Sequence, residues 1–218
     1  MLDRLALRLT RPAVMALARP LARAGLSANA LTWIGFAIGL LAAGLISQGA
    51  FLSALLAMGA SRLCDALDGA VARQTQATDL GGFLDITLDF VFYASIPLGF
   101  ALVDPAKNAL AAAVLLASFV GTASSFLAFA VLAAKRGLHN LAVPDKSFYF
   151  LGGLTEGTET LGFFAACCLW PAYFAPLAYG FAALCGLTLV CRVVWGMRAF
   201  VGQVQQQTPG LCREARHD

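Results

Sequence analysis

Apolar, uncharged residues run in long windows along this chain. No Asp, Glu, Lys or Arg falls in 24–61, 108–134 or 160–191, and only 14 uncharged residues separate Asp89 from Asp104. A helix crossing a bilayer takes about 20 residues at about 1.5 Å each. The 38-residue window 24–61 is too long for one crossing and slightly short for two. The polar turn Ser47-Gln48-Gly49-Ala50 divides it, which predicts one helix near 29–47 and a second from 51 to about 71. That second helix takes Arg62, Asp65 and Asp68 into the membrane region. Further crossings are predicted near 82–103, 109–134, 147–169 and 173–195, with turns at Asp104-Pro105, from Arg136 to Asp145, and at Trp170-Pro171. The expected fold class is all-α, a polytopic membrane protein with six transmembrane helices.

Composition points the same way. Charged residues make up 12% of the chain and hydrophobic ones 60%, with a mean hydropathy of +0.77; a soluble domain carries about 25% charge. A water-soluble enzyme, a disordered tail and a nucleic-acid-binding domain are excluded as first readings. With both chain ends on one side, fourteen of the fifteen Lys and Arg residues lie on that side or at its boundary, and Lys107 alone lies in an opposite-side loop. Both termini are therefore expected to be cytoplasmic. Residues 1–23 carry five arginines and no apolar core, so they do not read as a cleavable signal. On a helical wheel Arg4, Arg8, Arg11 and Arg19 share one side, with Leu9, Leu17 and Leu21 opposite. This suits an amphipathic helix lying in the headgroup layer of an anionic membrane, with breaks expected at Pro12 and Pro20. The organisation expected is this juxtamembrane segment over 1–23, one membrane domain over 24–200 and a cytoplasmic tail over 201–218. The six cysteines (64, 167, 168, 185, 191 and 212) show no metal-ligand spacing. Five of them lie inside predicted spans, where Cys acts as a small hydrophobe, and neither a disulfide nor a structural metal is expected from the set. His139 and His217, in a loop and a tail, are not read as ligands.

Half of the acidic residues lie inside or at the edge of the second to fifth predicted spans. Asp65 and Asp68 are i,i+3 on one helix and Asp85 and Asp89 are i,i+4 on the next, so each pair shares a helix face. Counting from the span ends puts Asp65 about 21 Å from the outer side and Asp89 about 10 Å from the inner one. In a core of about 30 Å these are one level, and the four carboxylates are expected to meet in a pocket near the cytoplasmic face. Each uncompensated carboxylate at that depth costs about 2.5–3.5 kcal/mol, and mutual repulsion adds to it. Arg62 and Arg73 can neutralise two of them as structural bridges, which leaves two more. Hard divalent cations, Mg²⁺ or Mn²⁺, are the natural partners of the group, and four carboxylates can bridge two such ions in a clamp suited to displacement at phosphorus. Gly69, Ala72, Gly81 and Gly82 remove side-chain bulk at the same helix ends, where a large ligand can approach the backbone; close helix packing is the other reading of Gly82.

These residues resemble a known family. Asp65, Asp68, Gly69, Ala72, Arg73, Gly81, Asp85 and Asp89 fill all eight fixed positions of DxxDGxxAR…GxxxDxxxD, the signature of the CDP-alcohol phosphatidyltransferases, over 25 residues. The six-span plan and the amphipathic N-terminal segment extend the likeness to most of the chain, which looks most like a bacterial inner-membrane subgroup. The resemblance implies transfer of a phosphatidyl group from CDP-diacylglycerol to an alcohol, with release of CMP. It implies two divalent metals on Asp65, Asp68, Asp85 and Asp89, with Asp89 also the general base. Gly69, Ala72 and Gly81 would line the cytidine site, and Arg73 would orient the carboxylates or a phosphate. Asn29 and Thr32 match the polar pair the family places near the nucleotide, although Ala28 stands where a Pro commonly precedes the Asn. A homodimer is also implied, and Ala117, Gly121 and Ser125 on the fourth span permit close packing.

Beyond the signature, Glu156 and Glu159 lie within the fifth predicted span, where two glutamates are not expected without a function. Hydrogen bonding to acceptor hydroxyls or an amine is one reading; bridges to Lys146, Arg136 or another helix are the other. Lys135, Arg136, Lys146, Arg192 and Arg198 gather at the cytoplasmic ends of the last three spans. They can hold a phosphorylated acceptor, or serve topology alone. Two rivals share the acidic site: an enzyme using a CDP-linked small alcohol as donor and diacylglycerol as acceptor, and a divalent-cation channel or transporter. The channel leaves Gly69, Ala72, Arg73 and Gly81 unexplained.

Overall fold

Ordinary capping chemistry sets most of the helix boundaries. The computed structural model describes residues 2–135, 155 and 157–207, and every long element among them is helical. Helix α1 is Leu2–Arg23, α2 Ala28–Ser47, α3 Phe51–Ala72, α4 Asp79–Val103, α5 Pro105–Lys135, α6 Gly157–Leu169 and α7 Phe174–Gln207, with a 3-10 turn at Pro171–Tyr173. Ser27 caps α2 by accepting from the Ala30 N–H at 3.2 Å, and Thr78 caps α4 by accepting from the Gly81 N–H at 3.1 Å. Gly25 and Gly49 take φ of 78° and 77°. Only such a left-handed residue lets Leu26 and Ala50 donate back to the Leu21 and Leu45 carbonyls, at 3.1 and 2.9 Å. The turn expected at 47–50 is the one that separates α2 from α3.

Among the described residues, four helices are long and apolar enough to cross a membrane: α2, α4, α5 and the Pro171–Arg198 stretch that contains most of α7. Many large side chains on them face outward, among them Leu102, Leu110, Val120 and Val190, as surfaces bathed in lipid do. Helix α2 lies between α3 and α4, α4 also packs on α5, and α5 packs on α7. Glycine makes the α2 contacts close. A Cβ on Gly35 would lie 2.9 Å from the Cys64 Cβ, one on Gly39 2.6 Å from the Phe92 ring, and one on Gly99 2.7 Å from the Ala43 carbonyl oxygen. Away from this seam the core is aromatic, with Phe100 stacked on Phe174 and Phe163 on Phe181, each pair 4.4 Å between centroids. Cys167, Cys168 and Cys185 are buried in the same core.

Some expectations shift. Helix α1 runs unbroken through Pro12 and Pro20. Both prolines are exposed, so the carbonyls that lose a donor lie on the outer side of the helix, where the surroundings can satisfy them. Its inner side, Val14 and Ala18, packs against Leu31, Leu67, Ala70 and Val71, whereas Leu17, expected on the apolar face, is half exposed. Gly121 faces α7 of its own chain, since a Cβ there would lie 2.8 Å from Leu189. A Cβ on Gly82 would meet nothing within 4 Å, so helix packing does not explain that glycine. Helix α7 continues to Gln207, past the residue where the apolar pattern ends, because backbone hydrogen bonding does not require a lipid-facing surface. The loop expected over 136–145 and the first part of the fifth span lie outside the described residues.

The seam is testable. Gly99→Ala should destabilise the protein by about 1–3 kcal/mol, the usual cost of overpacking, read as a lower unfolding midpoint in detergent micelles. Gly44→Ala, with nothing within 4 Å of the new Cβ, should leave the midpoint unchanged or raise it.

Candidate functional site

Close packing of α2, α3 and α4 brings the two acidic helix faces together. Asp65 and Asp68 come from α3, Asp85 and Asp89 from α4, and all four line one cleft together with Thr32, Ser61 and Arg62. Within it the carboxylates divide three and one. Asp65, Asp68 and Asp85 each offer an oxygen, all within 4.8 Å of one another; Asp68 is buried, Asp65 half-buried and Asp85 exposed. Two unit charges at that separation repel by about 3.5 kcal/mol at an effective dielectric near 20. Oxygens on opposite sides of one Mg²⁺ stand about 4.2 Å apart, twice a bond of about 2.1 Å. Only one pair of the three can stand opposite and adjacent oxygens stand about 3.0 Å apart, so these hard donors fit a shared divalent cation after side-chain shifts of about 1 Å.

Asp89 is held differently. Its Oδ1 accepts from Arg62 Nη1 at 2.6 Å, while the same nitrogen lies 3.7 Å from Asp65. The Arg62 guanidinium lies over the Phe92 ring at 4.1 Å, and its Nη2 donates to Ser61 Oγ at 3.3 Å. Ser61 in turn donates to the Gly35 carbonyl at 2.7 Å. The sequence treats Arg62 only as a possible bridge, and the structure makes it part of the site. Its spacing one turn before Asp65 was the available signal; its main partner, 27 residues away on another helix, was not readable. Arg73, the other basic residue considered for bridging, is exposed and forms no ion pair with the described acidic residues.

The residues matched to the nucleotide gather at the same end of the bundle. Thr32 Oγ lies 2.7 Å from Asp68 Oδ2 and 3.0 Å from the Ala28 carbonyl; its one proton goes to the carboxylate, the stronger acceptor. A Cβ on Gly81 would come 3.2 Å from Asn29 Oδ1, and one on Gly69 3.3 Å from Arg73 Nη1. Ala72 is half-buried at the end of α3. Asn29, Thr32, Gly69, Ala72, Arg73 and Gly81 thus surround the α3–α4 connection.

The described acceptor candidates, Glu159, Lys135 and Arg192, do not line the cleft. Glu156 and Lys146 lie outside the described residues. Glu159 is half-buried in the first turn of α6, and Lys135 is exposed at the end of α5. Arg192 donates to the Thr122 carbonyl at 2.9 Å and so ties α7 to α5. The start of α6 does approach the site from behind: a Cβ on Gly157 would lie 3.3 Å from the Tyr93 hydroxyl, and the Tyr93 ring is 5.9 Å from the Arg62 guanidinium.

Comparison with known proteins bears on the family and the fold. The profile of the CDP-alcohol phosphatidyltransferase family matches residues 25–199. Inner membrane protein YnjF of Escherichia coli K12 is 49% identical over 207 residues, covering 95% of this chain and all of that one. Archaetidylinositol phosphate synthase of Pyrococcus horikoshii is 47% identical over 87 residues, which is 38% of this chain and 45% of that protein. The fold resembles the crystal structure of Mycobacterium tuberculosis phosphatidylinositol phosphate synthase (PgsA1) with CDP-DAG bound, with a TM-score of 0.61 and 20% identity over 84% of this chain and 92% of that one.

Thr32→Val removes the proton given to Asp68 and leaves the shape nearly unchanged. It should cost about 1–3 kcal/mol, the weight of a hydrogen bond to a charged group, read as a lower unfolding midpoint in micelles; Thr32→Ser should restore most of it.

Proposed function

The chain belongs to the CDP-alcohol phosphatidyltransferase family, and from that premise we propose that it transfers a phosphatidyl group from CDP-diacylglycerol to a hydroxyl of a polar alcohol, releasing CMP, in phospholipid synthesis. The observation that carries this reading is the cluster of Asp65, Asp68 and Asp85 with Asp89 in the same cleft. These are the four acidic positions of the family signature.

Two bound divalent cations, Mg²⁺ or Mn²⁺, would neutralise the diphosphate and stabilise the departing CMP. Asp65, Asp68 and Asp85 hold them, and Asp89 completes the set. Asp89 takes the proton of the acceptor hydroxyl as its oxygen bonds to the β-phosphorus and the bond from that phosphorus to CMP breaks. Gly69, Ala72 and Gly81 leave room for the cytidine. Asn29 and Thr32 orient it by hydrogen bonding, Thr32 through Asp68, and Arg73 meets a phosphate. Glu156 and Glu159 receive hydroxyls of the acceptor, and Lys135, Lys146 and Arg192 receive a phosphate when the acceptor carries one. The archaeal relative's name, archaetidylinositol phosphate synthase, supports an acceptor of that kind.

The protein resides in the bacterial inner membrane with both termini cytoplasmic. Six spans carry it: α2, α4, α5 and α7, with α3 and the segment ending in α6 as the other two. The amphipathic α1 rests on the cytoplasmic surface. In this topology the cleft opens toward both lipid and cytoplasm, so a lipid donor and a water-soluble acceptor each arrive from their own phase. The working form is a homodimer. Ala117, exposed on α5, belongs to the small-residue surface available to a second copy.

Purified protein given labelled CDP-diacylglycerol and Mg²⁺ should release CMP only when an alcohol is added; a panel with and without phosphate names the acceptor. Asp89→Asn should lower turnover by a factor of about 100 to 10,000 while CDP-lipid binding survives, and wild-type turnover would remove Asp89 as the base. Glu156→Gln should raise the acceptor KM and leave CDP-lipid binding unchanged; the opposite pattern would move Glu156 out of the acceptor site.

A further inference from the structure

One cation already sits among the four carboxylates, and it belongs to the chain. The Arg62 guanidinium is gripped on three sides. Phe92 of α4 lies under its face at 4.1 Å, Asp89 of α4 takes Nη1 at 2.6 Å, and Ser61, itself anchored to the α2 backbone at Gly35, receives Nη2 at 3.3 Å. Its side chain is only 16% exposed. A guanidinium stacked on an aromatic face keeps its plane, so the fork is aimed and not merely nearby. Its aim is unequal: Asp89 is in direct contact, whereas Asp65 stands 3.7 Å away and neither Asp68 nor Asp85 pairs with it among the described residues.

Resting on the divalent-cation reading above, we propose that Arg62 is a resident counter-cation that reserves Asp89, so that the site takes up its two divalent cations in unequal steps, the second requiring the Arg62–Asp89 pair to open. Asp65, Asp68 and Asp85 are already gathered, mutually repelling and without a guanidinium in direct contact, so they accept a cation with little rearrangement. While Arg62 Nη1 holds Oδ1, Asp89 offers a cation Oδ2 alone, so binding through both oxygens waits for the pair to open. Formal charge runs in the same direction. Four carboxylates and one guanidinium sum to −3, which falls to −1 after one divalent cation. The second cation therefore meets far less attraction than the first and must also displace a charge-assisted hydrogen bond. With both in place and Arg62 retained, the site carries +1, the sign that suits an anionic diphosphate. Arg62 thus positions the base and keeps it withdrawn until the site is fully charged.

The test is titration of the purified full-length protein in nanodiscs with Mn²⁺ alone, followed by electron paramagnetic resonance and calorimetry, with no lipid donor present. Wild type should bind in two phases, one tight and one weak. Arg62→Met, which keeps an apolar stem over Phe92, should tighten the weak phase by about ten- to a hundredfold, the weight of a hydrogen bond between charged groups, and change the tight phase much less. Asp89→Asn should abolish the weak phase and leave the tight one. Arg62→Lys keeps a cation but loses the fork, and should narrow the gap part way; it serves if the Met variant does not fold. Equal tightening of both phases by Arg62→Met would make Arg62 a general charge and overturn the proposal, as would an unchanged weak phase. Absence of any Mn²⁺ binding to wild type would instead sink the metal reading on which the proposal rests.

Discussion

Repulsion among acidic side chains in a medium that screens them poorly is the constraint from which the rest of the structure follows. Three carboxylates held within 4.8 Å could not persist beside lipid without compensation. Each neighbouring feature reduces that repulsion or exploits it. Thr32 donates a hydrogen bond to Asp68, and Arg62 pairs with Asp89. What remains is an unbalanced pocket with a strong preference for hard cations. On the proposed reading the same imbalance makes the site chemically useful, because a cleft that draws in divalent cations can then receive a diphosphate.

Holding charges at fixed distances requires helices that do not drift. The α2 seam meets this need. Gly35 and Gly39 let the backbone of α2 press against Ser61, Cys64 and Phe92, and Gly99 lets α4 press against α2. Interiors packed this tightly transmit sub-ångström changes directly. Ser61 and Phe92, the two groups that aim Arg62, are also the groups that meet Gly39. Packing and electrostatics therefore share side chains, so a loss in one is felt in the other.

Much of this was legible in the residues. The helix boundaries at 47 and 51 followed from one polar turn, and the DxxDGxxAR…GxxxDxxxD spacing brought four aspartates to one level because i,i+3 and i,i+4 pairs share a face. Other features needed the third dimension. The Arg62–Asp89 contact joins residues whose proximity depends on how α3 and α4 are rotated against each other, which no spacing along one helix reveals. Pro12 and Pro20 predict breaks only if their freed carbonyls are buried, and exposure is a property of the fold. Gly121 read as a surface for a second copy, since sequence cannot tell a neighbour in the same chain from one in another. The acceptor residues are the least legible part, for the signature ends at Asp89 and the later glutamates and lysines fit more than one polar ligand.

In the six-span topology, α3 has an awkward birth. It falls outside the set of helices apolar enough to cross alone, and the residue that neutralises its arginine is made 27 residues later, on α4. The ribosome thus delivers Arg62 with Asp65, 3.7 Å away on the same helix, as its counter-charge until Asp89 is made. On the six-span reading, α3 enters against α2, its main neighbour, and the Arg62–Asp89 contact closes only once α4 has arrived beside that pair.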